Sequence, residues 1–311
     1  MVLLLKGKKL RQCAAAAAAA AILVSCIFLA YDARRIAAGA GYIKWVDFTP
    51  SYEVMRQALN IDIQSHETDT PVSWIELLAY AAAKNGGNFK NSSDSNITKL
   101  YERIKSGEDI EAITADLKYY DYYYKAYSAV LKEYVGYTET ESGPAYGLKV
   151  YSPIAAGYYY SHYDDFGASR SYGYKRRHLG HDMMGSVGTP IVAVEGGTVE
   201  ALGWNQYGGW RIGIRSFDSQ RYYYYAHLRK NSPYAKGLKQ GDTVEAGQLI
   251  GYLGMTGYSA NENVNNINTP HLHFGIQLIF DESQKDGVNQ IWIDVYDIVR
   301  LLERSKSKVN N

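Results

Sequence analysis

The period of the apolar positions changes twice along the chain. Between Arg11 and Asp32 stand 20 residues without a charge, QCAAAAAAAAILVSCIFLAY. As a helix this run would rise about 30 Å, the thickness of a bilayer's hydrocarbon core. Lys6, Lys8, Lys9 and Arg11 precede it, and Arg34 and Arg35 follow. The positive-inside bias then predicts a cytoplasmic N-terminus and an exported body. Two alternatives share that outcome. The run is long for a cleaved signal peptide. Leu23-Val24-Ser25-Cys26 resembles a lipoprotein processing site with Cys26 lipidated, although Ile27 to Ala30 continue the apolar run.

From about Ser51 to Gly136 the spacing is helical. Ser73-Trp74-Ile75-Glu76 is a capping box, with Val72 and Leu77 as its hydrophobic staple. That helix should run to Lys84 and stop at Asn85-Gly86-Gly87. Ile97, Leu100, Tyr101 and Ile104 form a second helical stripe, ended by Gly107. Ile110, Ile113, Leu117, Tyr120, Tyr124, Tyr127, Leu131 and Tyr134 form a heptad-like seam. Such a stripe is read as the buried face of a small bundle, with a dimer seam as the alternative.

Near residue 140 the period becomes that of strands. Residues 191–194, 211–214, 222–227, 249–253 and 271–279 alternate or run apolar between Gly-rich turns. Asp294 is placed to cap a last helix, with Val295, Ile298 and Leu302 facing the core.

Composition narrows the chemistry. Lys+Arg at 33 against Asp+Glu at 32 gives no basic excess, which argues against a nucleic-acid partner. The two cysteines, Cys13 and Cys26, both lie in the N-terminal run, so a metal in the body must be held by His and carboxylate. Six of the seven histidines fall between His162 and His273. Five of these six stand in RRHLGHD (His178, His181, Asp182), YYAHL (His227) and PHLHF (His271, His273). Together these suggest a His2Asp zinc site with an open fourth position. His271 and His273 share one strand face, yet their Cα atoms would be about 7 Å apart. One ligand and one catalytic group is the easier division, but geometry alone does not assign them.

RRHLGHD, YYAHL, GDTVEAGQLIGYLGMTG and TPHLHF, in this order, resemble the lysostaphin/LytM-type zinc metalloendopeptidases. DFGASR (Asp165 to Arg170) resembles the lead into that family's first strand, and the resemblance covers roughly residues 150–300. It implies a two-lobed antiparallel sheet with an open groove, and one Zn2+ per chain held by His178, Asp182 and His273. His227 and His271 would be the catalytic pair. The implied substrate is a peptide of bacterial peptidoglycan. The alternative is a scaffold of an envelope or sporulation complex that uses the same domain for binding. His181 should face away from the site, His162 should be a surface or loop residue, and the asparagine-rich approach to TPHLHF should reshape the groove rim.

The expected organisation is an N-terminal transmembrane helix, a small all-α middle region and a mainly-β C-terminal domain. Its boundaries are 1–35 for the cytoplasmic N-terminus and anchor, 36–137 for a helical spacer or interaction region, 138–304 for the metallopeptidase domain and 305–311 for a polar tail. The helical region is the place for an envelope protein partner.

Overall fold

The computed structural model of the chain describes residues 42–89, 93–140, 143–172 and 174–309. The expected membrane segment lies outside them. Among the described residues no helix is long and apolar enough to cross a membrane. Residues 44–311 form one compact unit.

The helical region holds α1 (Tyr52–Ser65), α2 (Trp74–Asn85), α3 (Ser93–Lys105), α4 (Ile110–Thr114) and α5 (Tyr120–Leu131). The start of α2 is set locally. Ser73 accepts from a first-turn amide while Glu76 accepts from the Ser73 amide at 2.9 Å, so two orphan donors are satisfied reciprocally. Its end is set by Gly86, which adopts φ +60, a conformation that suits glycine best. Ile97, Leu100 and Ile104 are buried as their spacing requires.

The heptad-like seam is not one helix. It breaks between α4 and α5 in two tight turns, where Leu117 N donates to the Thr114 carbonyl and Tyr120 N to the Leu117 carbonyl, each at 2.9 Å. Tyr127, Leu131 and Tyr134 are buried, whereas Tyr124 is exposed. A regular 3–4 spacing records which side chains are apolar, not whether the backbone between them stays helical.

Strands β1 (Val135–Thr140) and β2 (Gly143–Leu148) form a hairpin over the stretch whose Gly, Ser and Pro marked a change of pattern. It packs on α1: Tyr146 donates to Asp62 at 2.9 Å and stacks on His66. The next strands are β3 (Ser161–His162), β4 (Ser169–Tyr172), β5 (Tyr174–Arg177), β6 (His181–Met184) and β7 (Pro190–Val192). They are followed by β8 (Gly197–Asn205), β9 (Gly209–Ser216), β10 (Arg221–Ala226), β11 (Thr243–Val244) and β12 (Leu249–Tyr252). Last come β13 (His271–Leu278), β14 (Ile291–Ile293) and helix α6 (Tyr296–Leu302). One eight-stranded sheet carries the order β11-β8-β9-β10-β13-β6-β3, with β14 also paired to β13. The pairs β4-β5 and β7-β12 stand apart from it.

The pairing is antiparallel, so one register assigns every side chain to a face. On one face Ile212, Ile214, Tyr223, Tyr225, Leu272, Phe274 and Ile276 are fully buried. The helical region closes over this face. Tyr223 donates to Tyr134, and Arg221 Nη1 donates to the Ala129 carbonyl at 2.7 Å. The opposite face carries Arg211, Gly213, Tyr224, Ala226, His273 and Asp182, and becomes a groove floor.

Arg221 is the polar bolt between the two regions. It is wholly buried and pairs with both carboxylate oxygens of Glu195, at 2.8 and 3.0 Å. Asp218 takes a further donor at 2.9 Å. Removing one member of such a pair leaves a buried charge without its counter-ion, which costs about 3–5 kcal/mol. Glu195→Ala, which leaves Arg221 with Asp218 alone, should therefore lower unfolding free energy by up to about that amount in urea titration. Glu108→Ala, which breaks the exposed pair with Arg103, should leave the midpoint unchanged. Equal effects from the two substitutions would contradict this assignment.

Candidate metal site and groove

The β6–β13 register brings Asp182 opposite His273. His178 sits just before β6 and reaches the same point. His178 Nε2 lies 3.0 Å from Asp182 Oδ1 and 2.9 Å from His273 Nδ1, and His273 Nδ1 lies 3.0 Å from Asp182 Oδ1. Among the described residues these three form a cluster able to hold a metal ion. The edges are close to the roughly 3.3 Å separating two ligands of a tetrahedral zinc with bonds of about 2.0–2.1 Å.

The proton positions favour a cation there. His178 Nδ1 lies 3.2 Å from the Asp165 carbonyl and 3.1 Å from its carboxylate, both acceptors only. Nδ1 must carry the proton of a neutral His178, so Nε2 presents a lone pair toward Asp182. Burial opposes ionisation of Asp182, but the imidazoles of His178, His273 and His271 outweigh it and hold the carboxyl well below its usual range. Burial likewise pushes His273 down, toward the neutral form that can ligate a metal. With their facing nitrogens deprotonated, the two imidazoles and the carboxylate bring three ligand atoms to within about 3 Å of one another. The residues present fit zinc in donor type, number and spacing.

His271 and His273 share a face of β13 but are not equivalent. His271 Nε2 is 3.7 Å from Asp182 Oδ1, and its Nδ1 donates to the Thr269 carbonyl at 2.8 Å. His227 stands beside it, ring centroids 4.8 Å apart, and its Nδ1 donates to the Thr256 carbonyl at 2.9 Å. A carbonyl only accepts, so each ring is fixed with Nε2 as the free acceptor. Burial, then the nearby His271 and His273, push His227 well below its ordinary range. His227 has φ +62, unusual for a side chain of its size, and its amide donates to the Gly208 carbonyl at 2.7 Å.

Other contributors carry no signal in composition or spacing. Asp165 orients His178, and Arg170 of β4 contacts Asp165 and lies 3.4 Å from Asp182 Oδ2. Both lie within DFGASR, where an Asp and an Arg could have been taken as partners of the site. Gly180 is required by space: a Cβ there would come within 2.6 Å of the His273 ring. Thr256 receives the Trp210 amide at 3.1 Å and donates to the Leu228 carbonyl at 2.6 Å, fixing the carbonyl that orients His227.

The remaining histidines lie elsewhere. His181 points to the other side of β6, where its Nε2 is 2.7 Å from His162 Nδ1. Burial, with His162 beside it, pushes His181 down to about 3. His162 is not the surface residue expected. Its side chain is only 13% exposed, because it packs against His181 and Tyr296. In the asparagine-rich approach, Asn263 accepts from Trp210 Nε1 at 2.9 Å and from the Asn231 amide at 2.8 Å. Asn266 donates to the Tyr258 carbonyl at 2.7 Å. These asparagines hold the segment that presents Tyr258 to the groove.

A groove of about 590 Å³ opens at this cluster and runs over the β9–β10 floor. Residues 176–289 match the family model described as Peptidase family M23. An L-Ala–D-Glu endopeptidase of Bacillus subtilis (strain 168) is 39% identical over 146 residues, which span 47% of this chain and 41% of that protein. The glycyl-glycine endopeptidase ALE-1 of Staphylococcus capitis is 41% identical over 98 residues, 31% of this chain and 24% of that protein. The chain thus spans less than half the length of these curated relatives. A solved structure from Ruminococcus gnavus, assigned as a glycyl-glycine endopeptidase lytM, superposes with a TM-score of 0.57 at 26% identity. It covers 87% of this chain and 94% of its own, so the likeness includes the helical region. With the site geometry, these matches show that the chain carries a peptidase family M23 domain of the lysostaphin/LytM type.

Proposed function

We propose that this chain is a zinc-dependent endopeptidase that cuts peptide bonds of bacterial peptidoglycan. The observation that carries the reading is the convergence of His178, Asp182 and His273 beside His227 and His271, at one end of an open groove. The relatives' activities on L-Ala–D-Glu and glycyl-glycine bonds point to the same class of substrate. The charge-free run between Arg11 and Asp32 completes the proposal as a membrane tether that leaves residues 138–304 outside the cytoplasm.

His178, Asp182 and His273 would hold the metal. When bound, zinc supplies Lewis acidity, polarising a carbonyl and acidifying water. His227 and His271 present their Nε2 lone pairs to the same space, so either can take the proton of an attacking water. Once protonated, each can donate to the developing oxyanion or to the leaving amine. The Thr256 and Thr269 carbonyls hold the Nδ1 proton of each ring, so Nε2 is the nitrogen that gains and gives up the proton. The groove of about 590 Å³ that opens at this cluster would take an extended chain.

The test is the purified full chain with zinc on cross-linked muropeptides, read by mass spectrometry. New amino and carboxyl termini are expected, and their absence despite stoichiometric zinc would sink the proposal. His273→Ala should lose metal and turnover together. His271→Ala should keep the metal and lose about 10²–10⁴-fold in turnover. Zinc lost from His271→Ala would mean the two roles are wrongly divided. Asp165→Asn should weaken zinc binding by about 10–100-fold in competition with a chelator, since His178 loses its charged partner. Unchanged affinity would remove Asp165 from the site.

A further inference from the structure

The end of the groove away from the metal ligands is rich in guanidinium. Six cations line the groove, Arg170, Arg176, Arg177, Arg211, Arg215 and Lys285, against three carboxylates, Asp182, Glu200 and Asp286. Local pairing accounts for half of the cations. Arg170 contacts Asp165, Arg215 forks onto Glu200 at 2.7 and 2.9 Å, and Lys285 pairs with Glu282 at 2.8 Å. Arg176, Arg177 and Arg211 then face only Asp286 in the groove, a surplus of two positive charges.

Unmet donors mark the same place. Arg176 Nε, Arg211 Nε and Arg215 Nη1 are buried without a hydrogen-bond partner. A buried donor left unmade costs about 1–3 kcal/mol, more when charged, so three in one groove are unusual. The Arg211 guanidinium makes no ion pair with any described residue. Arg176 is held in place by its 2.6 Å hydrogen bond to the Tyr258 hydroxyl and by the rings of Tyr207 and Tyr258, 5.1 and 5.0 Å from its charge. It is therefore presented to the groove already ordered.

Register fixes the distance from the reacting end. Ala226 pairs with His273, and Tyr225 with Ile212. One further step of that register sets Arg211 beside Ala226. Arg211 is thus two strands from His273, about 10 Å, or roughly three residues of extended peptide. Gly213 follows Arg211 on the same face and makes room for the Tyr222 ring, whose hydroxyl a Cβ there would strike, so Tyr222 forms the floor between the arginines.

We propose that Arg211 and Arg176 form a carboxylate-binding subsite about three residues from the scissile bond, which selects carboxylate-bearing stem peptides over neutral glycine bridges. A planar fork with unmet N–H groups is the donor set that a carboxylate takes up. A polyglycine strand offers no charge to it. This rests on the endopeptidase reading and names its substrate class.

The full chain loaded with zinc is assayed on two stem peptides and a pentaglycine peptide. One stem peptide keeps the free α-carboxylate of its γ-linked D-glutamate, and the other has it amidated. The expected kcat/KM is about tenfold or more higher on the carboxylate peptide, with the difference in KM. Arg211→Gln should collapse that ratio at unchanged zinc content, and Arg211→Lys should keep part of it. Equal rates on the two stem peptides, a preference for pentaglycine, or a ratio untouched by Arg211→Gln would overturn the subsite. If no peptide is cut, the endopeptidase reading fails separately. Calorimetric binding of the two stem peptides then decides the subsite: tighter binding of the carboxylate peptide, lost in Arg211→Gln, supports it, and equal binding overturns it.

Discussion

Asp182 lies opposite His273 across one antiparallel pair, and the rest of the site depends on that register. A slip of one residue in either strand would turn its functional side chain into the packed face and bring Met183 or Leu272 to the groove in its place. The register is secured from the other side. Leu272, Phe274 and Ile276 alternate with the functional residues and are fully buried, so a slip would expose the apolar set as it buried the polar one. Hydrophobic burial thus fixes the geometry of a charged site.

The same logic runs across the sheet. Tyr223 and Tyr225 face the core while Tyr224 and Ala226 face the groove, and Ile212 and Ile214 alternate with Arg211, Gly213 and Arg215. The helical region bears on the buried face through Arg221 and Tyr134. It buttresses the sheet whose other face holds the ligands. That arrangement gives the middle region a structural role beside any partner it has.

Much of this was legible in the sequence because local chemistry decides it. The capping box at Ser73, the stop at Gly86 and the alternation through residues 271–279 each fix a local structure whatever surrounds them. His178, Asp182, His227, His271 and His273 stood out because their spacings matched strand and turn geometry, and a family resemblance supplied their roles. The break in the seam at residues 115–119 was not legible, since apolar spacing says nothing about backbone continuity. Asp165 and Arg170 were missed as partners because only the fold brings Arg170 of β4 to Asp182 and Asp165 to His178. His162 seemed peripheral in sequence, and only its pairing with His181 shows it to be covered. Arg211 looked like an ordinary polar strand residue until register placed it on the groove floor.

The central claim is that two of the clustered histidines ligate the metal while two others stand beside it for the reaction. X-ray absorption at the zinc edge of the purified full chain tests this most directly. The account predicts four-coordinate zinc with two imidazoles and oxygen ligands at about 2.0–2.2 Å. Three or four imidazoles in the first shell would contradict it, because His271 or His227 would then be a ligand and could not serve as the base.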